Sequence, residues 1–278
     1  MGSKQFTESL VTAKLNIKAL ENAGYTVTDQ TPLGGSDVNR AALLSGEIDA
    51  YPIGTAVSNY LINEGVEVPE GLSQTTQESY EFVRDYDAET NQLTWLEPAP
   101  ANNTFAFAVT QAFAEENGLT TVADLAEYVN AGGEVMMETS DEFAQRPDGI
   151  ASFESTYGFD LANDQLLIIA GASPAQTEQA LSEGSNGVNV AMAFATDGAI
   201  QAYELTVLED PDGAQPVFQP TPVFRSEVIE ANPDIAEILN PIFASLDNET
   251  LQELNTQVDV DGESPNAVAE AYLQSLGE

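Results

Sequence analysis

The sequence predicts an α/β protein of two lobes, and three observations lead there. Its 278 residues exceed the roughly 100 to 200 of an ordinary domain. Apolar residues make up 42% of the chain, enough for a real core and too many for a disordered polymer. Segments with apolar residues at helical spacing alternate with short apolar runs bounded by Gly, Pro and Asn, the cadence of helices packed on a parallel sheet.

From Thr7 to Ala23, the apolar residues Leu10, Val11, Leu15, Ile17 and Leu20 recur at roughly helical spacing, and Gly24 stops the helix. A strand is expected at Tyr25 to Val27. Ser36 or Asp37 can cap a helix through Ala41, Leu43 and Leu44 that Gly46 ends, and Ile48 to Tyr51 gives a further strand. A helix around Tyr80 to Tyr86 leads to a strand at Thr94 to Leu96, the Pro-rich Glu97 to Pro100, and an apolar strand at Thr104 to Val109, where the chain is expected to cross between lobes. The cadence then repeats. Helices are expected at Val122 to Asn130, after Ser140, at Asp148 to Tyr157 and at Pro174 to Ser182, with strands at Val135 to Glu138, Leu166 to Ile169 and Val188 to Phe194. Pro211, Gly213, Pro216, Pro220 and Pro222 mark loops and the return crossing. Helices follow at Glu227 to Ala231, Pro233 to Leu246, Asn248 to Thr256 and, capped by Ser264, Pro265 to Leu276. One lobe is thus expected to hold residues 1–103 plus 209–278 and the other residues 104–208.

Charge excludes several functions. There are 46 Asp plus Glu against 7 Lys plus Arg, a formal net charge of -39. Counterion release on nucleic acid needs a basic face, and so few cations cannot build one. With no His and no Cys, imidazole triads, thiol nucleophiles, redox pairs and zinc sites with nitrogen or sulfur ligands are all excluded. Glu209-Asp210 and Asp259 to Asp261 read as solvated loops, and Asp259 to Glu263 falls short of a calcium-loop spacing. No metal, no cofactor and no enzymatic activity are expected. Charged residues are only 19% of the chain because cations are missing, with Thr, Gln, Asn and Ala at polar positions. Such a surface repels itself until salt screens it, which points to a halophilic source. No apolar run approaches the ~18 residues of a spanning helix, and no leader precedes the first motif.

Several blocks carry a resemblance. Gly2 to Glu8, Gly34 to Arg40 and Leu43 to Asp49 resemble the opening of the glycine betaine/choline family of ABC-transporter substrate-binding proteins. The similarity continues in order through Pro98 to Phe105, Phe143 to Gly149, Thr196 to Gly198, Val207 to Asp210 and Leu254 to Val260, across essentially the whole chain. The resemblance implies a two-lobe periplasmic-binding-protein fold of type II, with two crossing segments and a ligand held in the interdomain cleft. It also implies delivery to an ABC permease in the membrane, an extracytoplasmic location and a monomer. In the family a strand stands before the Gly-Ser-Lys block that Met1 abuts here, so signal or anchor segments and part of that strand are expected to be absent from this chain.

The chemistry of such a ligand sets the candidate site. A quaternary ammonium donates no hydrogen bond and is best held by aromatic faces within ~6 Å. The resemblance places three cage positions on Phe105, Phe194 and Phe218, where the family more usually has tyrosine; phenylalanine keeps the negative ring face and loses the hydroxyl. A fourth cage tyrosine is missing, because Tyr51 to Thr55 is shorter than the family's turn, and Tyr51 or Tyr80 is placed to fill the gap. Lys4 and Arg146 fall on the family's anion-binding positions, with Thr55 as a further donor and Asn103 beside the cage. Arg146 offers a planar fork for a carboxylate, or alternatively pairs with Asp141 or Asp148. Arg40 is expected to pair with a structural carboxylate, such as Asp37 or Asp49, and Lys14 and Lys18 with Glu21 nearby to form a solvated face. A zwitterion satisfies both rings and cations, so glycine betaine or a carboxylated relative is the expected ligand. The alternative is a different small ligand, such as choline, carnitine or another amino acid derivative, held by the altered cage.

Overall fold

The computed structural model describes residues 1–54, 66–67, 76–146 and 149–277. The chain divides into two compact units, Met1–Asn103 with Val217–Glu278, and Thr104–Pro216.

The first unit opens with an extended segment. The Met1 ammonium donates to Thr28 O, Gly2 N to Ala50 O, Gln30 N to Met1 O and Leu33 N to Ser3 O, so residues 1–3 are paired on both sides. Helix α1 (Thr7–Asn22) follows, then α2 (Ser36–Ser45), which starts at Gly35 without a side-chain cap, and β1 (Ala50–Gly54). Helix α3 (Thr76–Asn91) and β2 (Leu93–Trp95) complete the run to the crossing. After the return come β8 (Pro220–Arg225) and helices α10 (Ser226–Ala231), α11 (Asp234–Ala244), α12 (Asn248–Asp259) and α13 (Pro265–Leu276). The sheet order is β1-β8-β2, antiparallel throughout. Helix α1 buries Val11, Leu15, Ile17 and Leu20 against Leu239, Phe243, Leu251 and Leu273 of the C-terminal helices. A second cluster behind the sheet joins Leu43, Ile48, Tyr51, Tyr80, Val83 and Trp95.

The second unit runs β3 (Phe105–Thr110), α4 (Gln111–Asn117), α5 (Val122–Asn130), β4 (Met137–Ser140), α6 (Asp141–Gln145) and α7 (Ile150–Tyr157). It continues through β5 (Leu166–Ile169), α8 (Pro174–Glu183), β6 (Val190–Phe194), α9 (Ala199–Ala202) and β7 (Leu205–Val207). Its sheet order is β5-β4-β6-β3-β7, with β4 parallel to β5 and β6, and β3 antiparallel to β6 and β7. Residues 209–216 stay with this unit: Glu209 N donates to Thr120 O, and the Asp210 carboxylate accepts from Tyr157 Oη and from the amides of Ala214 and Gln215.

The structure differs from these expectations in several places. The sheets are antiparallel or mixed, because β3 and β8 are the strands by which the chain enters each unit, and no local βαβ crossover fixes their direction. No regular strand forms at residues 25–27; that stretch leads instead into the backbone bonds with residues 1–3. Prolines 220 and 222 lie in a central strand rather than in a loop. They face the 96–99 segment, where Leu96 N and Ala99 N use only their carbonyls, so the missing donors cost no ladder bond. Arg40 does pair with a structural carboxylate, but it is the buried Asp87 rather than the nearby Asp37 or Asp49, and Asp210 is a loop anchor rather than a solvated acid.

Candidate functional site

In the second unit three phenylalanines gather where β4 and β6 end. Antiparallel pairing sets Phe194 directly opposite Phe105, and their ring centroids are 4.8 Å apart at 32°. At the end of β4, Ser140 Oγ accepts from Phe143 N at 3.0 Å, which starts α6 and turns Phe143 against Phe105 with centroids 4.7 Å apart. Phe143 is fully buried, while Phe105 and Phe194 are half-buried. Arg146 lies just past α6 with its guanidinium carbon 5.4 Å from the Phe105 centroid, itself half-buried. Gly149 closes the turn by donating to Arg146 O at 3.0 Å; a Cβ there would stand 1.9 Å from Phe143 O, so only glycine lets the chain return so closely. A cation already rests on a ring of this pair. The negative faces that hold it can equally hold a quaternary ammonium, and the guanidinium fork suits a carboxylate.

In the first unit Lys4 follows the extended segment at the entrance to α1. Its backbone N donates to Ser9 Oγ at 2.9 Å, and its Nζ lies 4.9 Å from the Phe6 ring centroid. Burial pushes the Lys4 pKa below the ordinary lysine value, and the negative charge of Glu8 partly opposes that shift. No carboxylate lies within ion-pairing distance of Lys4 among the described residues. The buried Glu8 carboxylate instead accepts from Asn103 Nδ2 at 2.8 Å. Asn103 N donates to Phe218 O, and Phe218 N donates to Asn102 Oδ1 at 2.7 Å, so the crossing segment and the half-buried Phe218 are stitched together. The absent side chain of Gly54 leaves room for Phe218, whose Cβ and ring Cδ1 would meet a Cβ there at 3.2 and 3.3 Å.

Lys4, Asn103 and Phe218 thus fall in one unit, and Phe105, Arg146 and Phe194 in the other. Tyr51 is 1% exposed and packs in the core with Leu43 and Trp95, and Tyr80 donates to Leu96 O at 3.0 Å in the same cluster. Thr55 and Asp148 lie outside the described residues, and Asp141 Oδ1 accepts from Gly171 N. Sequence reading missed three participants. Phe143 precedes Arg146 by three positions, a spacing that puts ring and guanidinium on one side of a helical turn. Phe6 and Glu8 both stand within the quoted Gly2 to Glu8 block, where alternation with Lys4 was the available signal.

Two α/β units, one with Lys4 against the Phe6 ring and the other with Arg146 against Phe105 of a phenylalanine cluster, have the build of a solute-binding protein. The family described as the substrate binding domain of ABC-type glycine betaine transport systems, OpuAC, matches residues 1–275, and the chain belongs to it. Substrate-binding proteins of ABC transporters are binding components, not enzymes. The glycine betaine-binding protein YehZ of Escherichia coli is 41% identical over 277 residues, covering 100% of this chain and 90% of that protein. A glycine-betaine-binding protein of Pseudomonas aeruginosa is 33% identical, over 99% of this chain and 86% of its own length. The solved structure of apo YehZ superposes with a TM-score of 0.87 over 99% of this chain and 97% of that one. A glycine betaine/carnitine/choline transporter structure, 23% identical, reaches 0.86 over 99% and 97% and supports the two-lobe periplasmic-binding-protein fold.

Proposed function

We propose that this chain captures glycine betaine, or a closely related carboxylated quaternary ammonium solute, and hands it to an ABC permease for osmoprotective import. The observation that carries the reading is the tilted ring pair Phe105 and Phe194 with Arg146 beside it in one unit. The rings serve the ammonium, and Arg146 serves the carboxylate. In the other unit, Lys4 is a second cation suited to the carboxylate and Phe218 a further ring for the ammonium, while Asn103 acts through Glu8. The field of the whole molecule supports a zwitterion. At a net charge of -39 a carboxylate is repelled overall, so its capture needs concentrated positive groups, whereas the ammonium is drawn in. Tyr51 and Tyr80 receive no ligand contact in this reading because both are packed in the core.

Binding components of ABC importers work outside the cytoplasmic membrane, and no helix among the described residues is long and apolar enough to cross one. We assign the protein no nucleic-acid partner and a monomeric state. A carnitine reading has one support, a carnitine transport binding protein of Listeria monocytogenes that is 25% identical over 99% of this chain. Calorimetric titration with glycine betaine in molar KCl tests the assignment. Saturable binding is expected, weakened by about 1.5 to 3 kcal/mol in Arg146→Ala, the scale of a charged hydrogen bond. Phe105→Ala should cost about 0.5 to 2 kcal/mol, the range of a cation–π contact. Absence of binding, or folded variants that bind as the parent does, would overturn it.

A further inference from the structure

We propose that Asn39 is a positioning residue for Lys4: its buried side-chain amide clamps the chain that leads into Lys4 and so holds the ammonium ready for a ligand carboxylate. The inference rests on the reading of Lys4 as a carboxylate partner. Asn39 lies in the first turns of α2, is 0% exposed, and its Nδ2 donates to Ser3 O at 3.1 Å, Gly34 O at 2.9 Å and Gly35 O at 3.0 Å. Three carbonyls from two separate loops therefore converge on one donor group. Ser3 O also accepts from Leu33 N, so the loop before α2 and the extended segment before α1 are locked at the residue next to Lys4. On the other side of the clamp, Lys4 N donates to Ser9 Oγ. The course of the chain is thus fixed both before and at Lys4.

The residue types fit this task and little else. The Asn39 backbone already makes its helical bond to Gly35 O at 3.1 Å, so the side chain is not needed to complete the helix. An aspartate would turn oxygen toward three carbonyl oxygens, and an aliphatic residue would leave buried carbonyls with fewer donors. Gly2 lets the amide approach, since a Cβ there would stand 2.8 Å from Asn39 Oδ1 and 2.8 Å from Ile48 Cδ1. Lys4 needs external support because no carboxylate fixes its ammonium among the described residues, and its close companion is the Phe6 ring.

A double-mutant cycle decides the matter. Glycine betaine is titrated calorimetrically in molar KCl into the parent, Lys4→Met, Asn39→Ala and the double variant. Each single change is expected to weaken binding about tenfold or more, the loss of one charge-assisted contact, and the double variant to be no weaker than Lys4→Met within about twofold. A residue that merely supports the scaffold would lose the same factor in both backgrounds. That result, or an Asn39→Ala protein that binds like the parent, overturns the inference while leaving Lys4 in place. A Lys4→Met protein with unchanged affinity overturns the reading of Lys4 and the inference with it. Should Asn39→Ala fail to fold, Asn39→Ser keeps one donor, and the same cycle must show a smaller loss with the same non-additivity.

Discussion

Lys4 shows how a single residue ties burial to ligand choice. Its environment lowers its pKa from the ordinary lysine value of 10.5 because the ammonium loses hydration that Glu8 only partly replaces. In the proposed function, the carboxylate of a bound ligand would supply the missing countercharge. Affinity for glycine betaine should therefore fall as pH rises through the Lys4 pKa of the unliganded protein, since binding must then take up a proton. Titrations from neutral pH to 10.5 check this, and constant affinity over that range would contradict it. The linkage to stability has the opposite sense: between the folded and unfolded pKa values the unfolded chain binds more protons, so the unliganded fold gains stability as pH rises through that window. Asp124 provides the acidic counterpart. Hydrogen bonds from the backbone and hydroxyl of Thr120 and Thr121 hold its pKa at about 2, below the 3.8 of an ordinary aspartate. Its contribution is present above 3.8 and lost as pH falls through about 2. Asp124→Ala removes one half of the capping box of α5 and should cost about 1 kcal/mol in chemical denaturation.

At the scale of elements, a buried ion pair holds the first unit's helices to its sheet. Arg40 on α2 reaches Asp87 on α3 through bonds of 2.7 and 2.6 Å, and the same carboxylate accepts from Asn91 Nδ2 and, on β2, from Trp95 Nε1. Asp87→Ala would leave a guanidinium buried without its carboxylate, and a loss of about 3 to 5 kcal/mol is expected. A denaturation midpoint matching the parent's would refute that role. This pair also marks the limit of sequence reading. Local spacing offers Arg40 the nearby carboxylates of Asp37 and Asp49, whereas its partner lies on a helix 47 positions along the chain. Local signals performed better where the physics is local. Ser264 followed by Pro265 announced α13, and Ser264 Oγ does accept from Ala267 N at 3.2 Å. Strand β8 stayed hidden because its prolines read as loop, and only the partner segment shows that their donors are not needed. Likewise the position of Tyr51 depended on whether β1 would turn its ring into the core, which periodicity cannot say; Phe143 and Asn39 stood in quoted motifs, yet their partners come from other strands and loops.

For the whole molecule, the distribution of charge matters more than its total. Lys14 pairs with Asp29, Lys18 with Glu21, Arg40 with Asp87, Arg84 with Asp85, and Arg225 with Asp49 and Glu227, while Lys4 and Arg146 each lie against a phenylalanine ring. The remaining carboxylates repel one another across the surface, and screening relieves them, so the melting temperature should climb from low salt to molar KCl. A melting temperature independent of KCl would refute that expectation. The proposed function makes a claim about ligands, because rings alone would accept any quaternary ammonium, whereas rings with Arg146 beside them are expected to prefer one that also carries a carboxylate. Parallel calorimetric titrations of glycine betaine and choline in molar KCl test this most directly. The account predicts that glycine betaine binds about tenfold or more tightly than choline; choline binding as well or better would contradict it.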